Sequence, residues 1–230
     1  MTRGDGGSSR RTVLAGLAAL AAAGPAVADE APSLVAHGIL AQNPLALAFQ
    51  AAPGQLPGVT LLGPKGERSI DELKGRTLLM PLWAEWCAPC MGEIPDFARL
   101  QSKYGNDKFA IVPVLSGTKK MLTPELIGEI LNFLHAGVFE PLIEYNRGDK
   151  LLRAMARKGA GLAIPCNLLI APDGHVVARE IGMKRDDDAS GAASGKPGLI
   201  ARAEAGESLS LWGEAAGEEF AAAMANGFLG

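Results

Sequence analysis

The 230 residues are 48% hydrophobic and 20% charged, which suits one globular domain with a full core. A formal net charge of −3 leaves no electrostatic footprint for nucleic acid, and no apolar run reaches the roughly 18–20 residues of a membrane span. Three cysteines are too few for a disulfide scaffold, and they cannot all pair with one another.

The first residues read as an address. Arg3, Arg10 and Arg11 precede an apolar run from Val13 to Ala23, then a Gly24-Pro25 break, and Ala26-Val27-Ala28 fits an A-x-A cleavage site. Ser9 to Leu14, SRRTVL, resembles a twin-arginine export signal. Cleavage near Ala28 would deliver the mature chain, not membrane-spanning, to the bacterial periplasm, where disulfide chemistry operates. The expected division is a signal peptide at 1–28, a lead-in rich in Ala, Pro and Gln at 29–57, and one domain at 58–230.

Regular patterning begins at Gly58. Gly58 to Trp83 predicts a strand, a Gly-Pro-Lys-Gly turn, a helical turn at Ser69–Leu73 and a buried strand Thr77–Trp83. Met91 to Tyr104 predicts a helix with an apolar stripe of Ile94, Phe97, Ala98 and Leu100, kinked at Pro95. FAIVPVL, Phe109 to Leu115, is a further apolar strand. Thr123-Pro124-Glu125 opens a helix that runs to about His135, with an N-cap hydroxyl, proline at N1 and an acid in the first turn. Another helix spans Asp149 to Lys158 and stops at Gly159. Two strands flank the Ala171-Pro172-Asp173-Gly174 turn. Lys184 to Ala205 reads as an exposed loop, and a helix from about Gly213 to Ala225 ends the chain. This order predicts an α/β fold, a three-layer sandwich with a mixed central sheet.

WAEWCAPC, Trp83 to Cys90, puts two cysteines two residues apart, suited to redox exchange, metal ligation or a structural staple. A thiol attacks only as thiolate, so a reactive cysteine needs a setting that favours the anion. Cys87 falls where the strand ends and a helix starts near Ala88–Met91, facing unpaired N–H groups and the positive end of the helix dipole. Cys90 returns to the same face about one turn on, within reach of a disulfide and able to resolve a mixed disulfide at Cys87. Pro89 stiffens the loop, and Trp86 with Ala88 leaves an apolar surface that a partner can approach.

WAEWCAPCMGEIP, with AIPCNLLIAPDGHVVAREIG downstream, resembles the thioredoxin-fold thiol–disulfide oxidoreductases of the exported TlpA/ResA-like branch. The resemblance runs from about Gly58 to Gly182. It implies a thioredoxin-like sandwich with a central insertion, Cys87 as nucleophile, Cys90 as resolving thiol and Pro165 as a cis-proline, with the Ile164 backbone pairing with a substrate chain. Glu93 matches an acid often found in the branch, placed to move a proton or to oppose thiolate formation; a solvated glutamate at a helix start is the alternative. No cofactor is implied beyond the Cys87–Cys90 disulfide. The implied partners are periplasmic protein thiols and disulfides, plus a membrane electron donor for re-reduction.

Departures from the family pattern qualify this. Thioredoxins carry a buried acid on the strand before the motif, where this chain has Pro81, and proline there implies a bulge or an unpaired stretch. The segment from about Thr118 to Arg147 resembles the branch's insertion. Cys166 stands where the family has threonine or serine, near enough to the pair for three sulfurs to cluster. It is either a small half-buried replacement, a third reactive thiol, or the third ligand of a soft-metal site such as Cu(I), which gives an alternative reading as a copper carrier. His37, His135 and His175 follow no ligand spacing with the cysteines, and Asp186-Asp187-Asp188 reads as a solvated loop. The expected activity is reduction of disulfides in exported partners, as in cytochrome c maturation or copper-site assembly.

Overall fold

The computed structural model describes residues 42–52, 54–118, 122–145, 149–155, 163–181 and 210–229. The leader, His37, the loop at 184–205 and the run Asp186 to Asp188 lie outside them. Among the described residues no helix is long and apolar enough to cross a membrane.

The first elements among the described residues are α1 (Pro44–Ala48), β1 (Gln50–Ala51) and the hairpin of β2 (Thr60–Gly63) and β3 (Gly66–Ser69), followed by a 3-10 turn at Ile70–Leu73. Then come β4 (Thr77–Trp83), α2 (Ala88–Tyr104), β5 (Phe109–Ile111), β6 (Val114–Leu115), α3 (Pro124–Phe133), β7 (Leu142–Glu144) and α4 (Lys150–Met155). The hairpin β8 (Cys166–Ile170) and β9 (Val176–Ile181), a 3-10 turn at Leu211–Gly213 and α5 (Ala215–Ala225) complete it. One mixed sheet runs in the order β1-β9-β8-β4-β6-β7-β2-β3, with β5 also beside β4. β4 is parallel to β5 and β6 and antiparallel to β8. This is the expected thioredoxin-like sandwich.

Local chemistry explains most of these elements. The 3-10 turn starts on a capping box, Asp71 N–H donating to Ser69 Oγ and Ser69 N–H to Glu72 Oε1. Gly66, at φ 101°, closes the β2–β3 hairpin in a region that costs other residues a Cβ clash. β3 was not expected as a strand; its residues, GERS, are mostly exposed and polar and show no alternation. β7 was missed as well, because three residues are too few to carry a period. It lies in the expected insertion and extends the sheet, pairing parallel to β6 and antiparallel to β2. Residues 43–51, read as part of a lead-in, pack on the domain: Phe49 stacks on Phe220 at 5.4 Å and β1 pairs with β9.

Pro81 sits inside a continuous β4 and divides the strand's parallel neighbour. β5 pairs with Thr77–Leu79 and β6 with Leu82–Trp83 at the same offset, so Pro81 stands opposite Pro113 in the interval between them. The N–H of Val112 reaches Leu79 O at 2.9 Å and that of Ser116 reaches Trp83 O at 2.8 Å. Residues 79, 81 and 83 therefore turn their backbone groups toward β5 and β6, and the donor Pro81 lacks falls in that gap. On the other side Pro81 keeps register with Asn167 of β8. The ladder is interrupted without a bulge.

The sheet separates two cores. One, against α1, α2, α3 and α5, contains Leu79, Trp83, Phe97, Phe109, Leu169, Trp212 and Phe220. The other, against α4 and the first 3-10 turn, contains Ile70, Leu78, Met80, Leu82, Leu151, Leu168 and Ile170. α2 runs through Pro95 without a break. Proline inside a helix costs about 3 kcal/mol or more. Burying Ile94, Phe97 and Leu100 returns about 1.5–3 kcal/mol each, which outweighs that loss.

Candidate active site

Cys87 and Cys90 are joined by a disulfide, S–S 2.06 Å with Cα atoms 5.3 Å apart. Cys87 is the N-cap of α2, in extended backbone conformation, and its Sγ accepts the Cys90 N–H at 3.3 Å. A sulfur thus occupies the place where a serine or aspartate oxygen commonly satisfies an orphan donor. Pro89 lies in the first turn, where the missing N–H costs nothing. Both sulfurs sit at the edge of the first core, Cys87 4% and Cys90 2% exposed, while Trp86 beside them is 54% exposed. The Ile164–Pro165 peptide bond is cis and leads directly into β8.

Glu93 is buried on α2, three residues beyond Cys90 and so on the same helix face. It does not lie in solvent as a first-turn glutamate. Burial and the Glu180 carboxylate, followed by Asp96, hold the Glu93 carboxyl well above the ordinary range, opposed only by a hydrogen bond from Asn167. Asn167 Nδ2 also donates to Glu180 Oε2 at 2.8 Å, and these two residues are register partners on β8 and β9. Asn167 is the register partner of Pro81, so its side chain lies on the same sheet face as that residue. Asn167 and Glu180 were not recognised from sequence. NLLI and VVARE read as strands, and only the register identifies which of their polar residues turn toward α2.

Cys166 departs from expectation. Its side chain packs in the second core with its register partner Leu82, on the sheet face opposite Cys87 and Cys90. The three sulfurs do not converge, and among the described residues no group of three His, Cys, Asp or Glu side chains could hold a metal ion. Burial pushes the Cys166 thiol up to about 12, with Arg179 opposing and Glu180 adding to the shift. The copper-carrier alternative loses its ligand set.

Two further buried acids are structural. Glu144 of β7 accepts from Ser116 Oγ at 2.6 Å and from the N–H groups of Lys150 and Leu151 at 2.7 and 3.3 Å, capping α4. Asp96 accepts from Ser210 Oγ at 2.9 Å and pairs with Arg99, tying the segment before α5 to α2. His135 ends α3 at φ 55°, far along the chain from the cysteines.

No protein-family model matches the chain. It is 41% identical over 61 residues to the thioredoxin-like protein YneN of Bacillus subtilis (strain 168), covering 26% of this chain and 35% of that one. It is 25% identical over 122 residues to the thiol-disulfide oxidoreductase ResA of Bacillus thuringiensis (strain Al Hakam), covering 53% of this chain and 64% of that one. The matches therefore span less than two thirds of these relatives' own lengths. Among solved structures, the thioredoxin domain of a thiol-disulfide oxidoreductase from Bacteroides vulgatus superposes with TM-score 0.46 at 20% identity, covering 64% of this chain and 97% of that one. The exposed lipoprotein thioredoxin Etrx1 of Streptococcus pneumoniae strain TIGR4 gives 0.44 at 21% identity, covering 61% and 100%. By sheet order and by sequence, the chain is a thioredoxin-fold protein similar to the thiol–disulfide oxidoreductases of the ResA kind.

Proposed function

We propose that the chain is an exported thiol–disulfide oxidoreductase that reduces disulfides of periplasmic proteins and is itself recharged by a membrane electron donor. The observation that carries this reading is the disulfide at the start of α2, where Cys87 Sγ accepts the Cys90 N–H beside an exposed Trp86. In the reduced protein the same N–H and the helix dipole favour the Cys87 thiolate over its thiol. That thiolate attacks a partner disulfide; one partner sulfur leaves and the other forms a mixed disulfide with Cys87. Cys90 then gives up its proton, its sulfur attacks Cys87, and the second partner sulfur leaves as thiolate. Two electrons have passed to the partner, and the Cys87–Cys90 bond is restored.

Trp86 and Pro89 supply the contact surface, and the backbone at Ile164 and Pro165 supplies pairing groups for the partner chain. Glu93 is the proton acceptor for Cys90: a carboxyl held above its ordinary range is a stronger base, better matched to a thiol. No histidine or other cation stands between the cysteines to stabilise the thiolate further, which supports the reducing direction.

The test is covalent trapping. Cys90→Ser, expressed with its leader, should retain partner proteins on Cys87 through bonds that dithiothreitol releases. Absence of any adduct, together with no exchange against glutathione, overturns the reading. The same equilibration sets direction: a potential near about −120 mV, that of strong periplasmic oxidants, reverses it.

A further inference from the structure

Glu85 stands two residues before Cys87 and has no part in the exchange just described. The N–H of Cys87 donates to Ala84 O at 3.0 Å, closing a turn whose central residues are Glu85 and Trp86. That turn leads directly into α2 and the disulfide. Glu85 is half-buried, its Oε2 is covered and meets no hydrogen-bond partner, and no ion pair among the described residues involves it. Taking a carboxylate oxygen out of water without a donor is costly, and a partly buried charge is screened less than an exposed one. An ammonium or guanidinium arriving at this turn supplies both the donor and the opposite charge.

The segments around it offer no cation of their own. Those that carry the disulfide and the cis-proline, 77–98 and 163–178, contain no lysine or arginine. Of their acids, Glu93 and Asp96 are buried on α2, and Asp173 lies in the turn at the far end of β8. Glu85 is left as the acid that a partner meets next to Cys87. Trp86 follows it and is 54% exposed, and the negative face of an indole also attracts cations. Carboxylate and ring on one turn therefore favour the same kind of visitor.

We propose that Glu85 is a specificity-determining residue, and that the partner carries a lysine or arginine next to the disulfide it presents to Cys87. The proposal deepens the oxidoreductase reading above and rests on it. The exchange keeps its chemistry: the Cys87 thiolate bonds to one partner sulfur, the bond between the partner sulfurs breaks, and the departing sulfur takes the electron pair. Glu85 acts before that step, drawing a cation-flanked disulfide to the nucleophile and repelling an anion-flanked one. A carboxylate this near Cys87 also opposes its thiolate, but it does so equally for every partner. Selectivity between partners, rather than overall rate, is thus what Glu85 contributes.

The test reduces the full chain with dithiothreitol, removes the excess, and follows reoxidation of the Cys87–Cys90 pair by tryptophan fluorescence in stopped flow. The probes are cystamine, which is cationic, glutathione disulfide, which is anionic, and hydroxyethyl disulfide, which is neutral. Each rate constant is divided by that of the neutral probe in the same protein, so a change in the nucleophile itself cancels. Glu85→Gln should lower the cystamine ratio about threefold, the size of an exposed ion pair, and raise the glutathione ratio. Glu85→Lys should move both ratios further in the same directions. Salt at about 1 M, where the Debye length is about 3 Å, should bring wild type and variants together. Glu85→Gln is nearly isosteric, so it carries the test even where the charge reversal disturbs the turn. Ratios that stay at their wild-type values in Glu85→Gln overturn this proposal while leaving exchange itself intact. Failure of the reduced wild type to react with any of the probes sinks the oxidoreductase reading, and this one with it.

Discussion

The two faces of the central sheet hold the same element in opposite chemical states. Cys87 is 4% exposed and Cys166 is 2% exposed, so burial alone does not separate them. Cys87 caps a helix, accepts a backbone N–H and is bonded to Cys90. Cys166 lies in a strand among Met80, Leu82 and Leu168, where burial pushes its thiol up to about 12. Burial disfavours the thiolate at both, and at Cys87 the helix start and the Cys90 N–H oppose that penalty, whereas at Cys166 burial prevails. The acids divide in the same way: burial and the Glu180 carboxylate hold the Glu93 carboxyl above the ordinary range, whereas Glu144 spends both oxygens on Ser116 and the start of α4.

The strongest way to break the comparison is to exchange the sulfurs' fates. Cys87→Ser should reduce disulfide exchange with a dithiol to background, while Cys166→Ser leaves its rate unchanged; equal losses would show that the faces are not distinct. Next in size, Glu93→Gln should slow exchange at neutral pH by about 10²-fold, the usual lower bound for a positioned proton acceptor. A stopped-flow rate that stays at the wild-type value would remove Glu93 from the reaction.

The same substitution should act with opposite sign on stability. Folded Glu93 keeps its proton to higher pH than the unfolded chain does, so between the ordinary carboxylate range and its raised value the native state binds more protons. Stability therefore falls as pH rises through that window, and Glu93→Gln should flatten the fall, raising the urea midpoint at pH 8 relative to pH 5. A pH dependence identical in the variant would mean that the buried carboxyl is not titrating there. The smallest effect concerns labelling. The reduced native protein at pH 8 should take up iodoacetamide rapidly at Cys87 and only after unfolding at Cys166, as read by mass spectrometry.

How much of this was legible in the sequence varies with the range of the interaction involved. The helix start at Cys87, the helical turn after Ser69, the Thr123 cap and the strand Thr77–Trp83 depend on neighbours a few residues away, and each is present. The strand Phe109–Leu115 was read as one run and is two, because Pro113 interrupts it opposite Pro81. β3 and β7 are strands only because something pairs with them.

The sequence by itself therefore determined the sulfur pair, the helix that begins on it and the glutamate one turn beyond, since all three are set by spacing along a single helix. Tertiary structure alone decided which residues of β8 and β9 accompany them. A strand alternates its side chains between two faces, so Cys166 and Asn167 must part company, but only the pairing of β8 with β4 fixes which of them turns toward α2. That choice of face sent the third cysteine into an apolar core and brought the Asn167 amide to the Glu180 carboxyl.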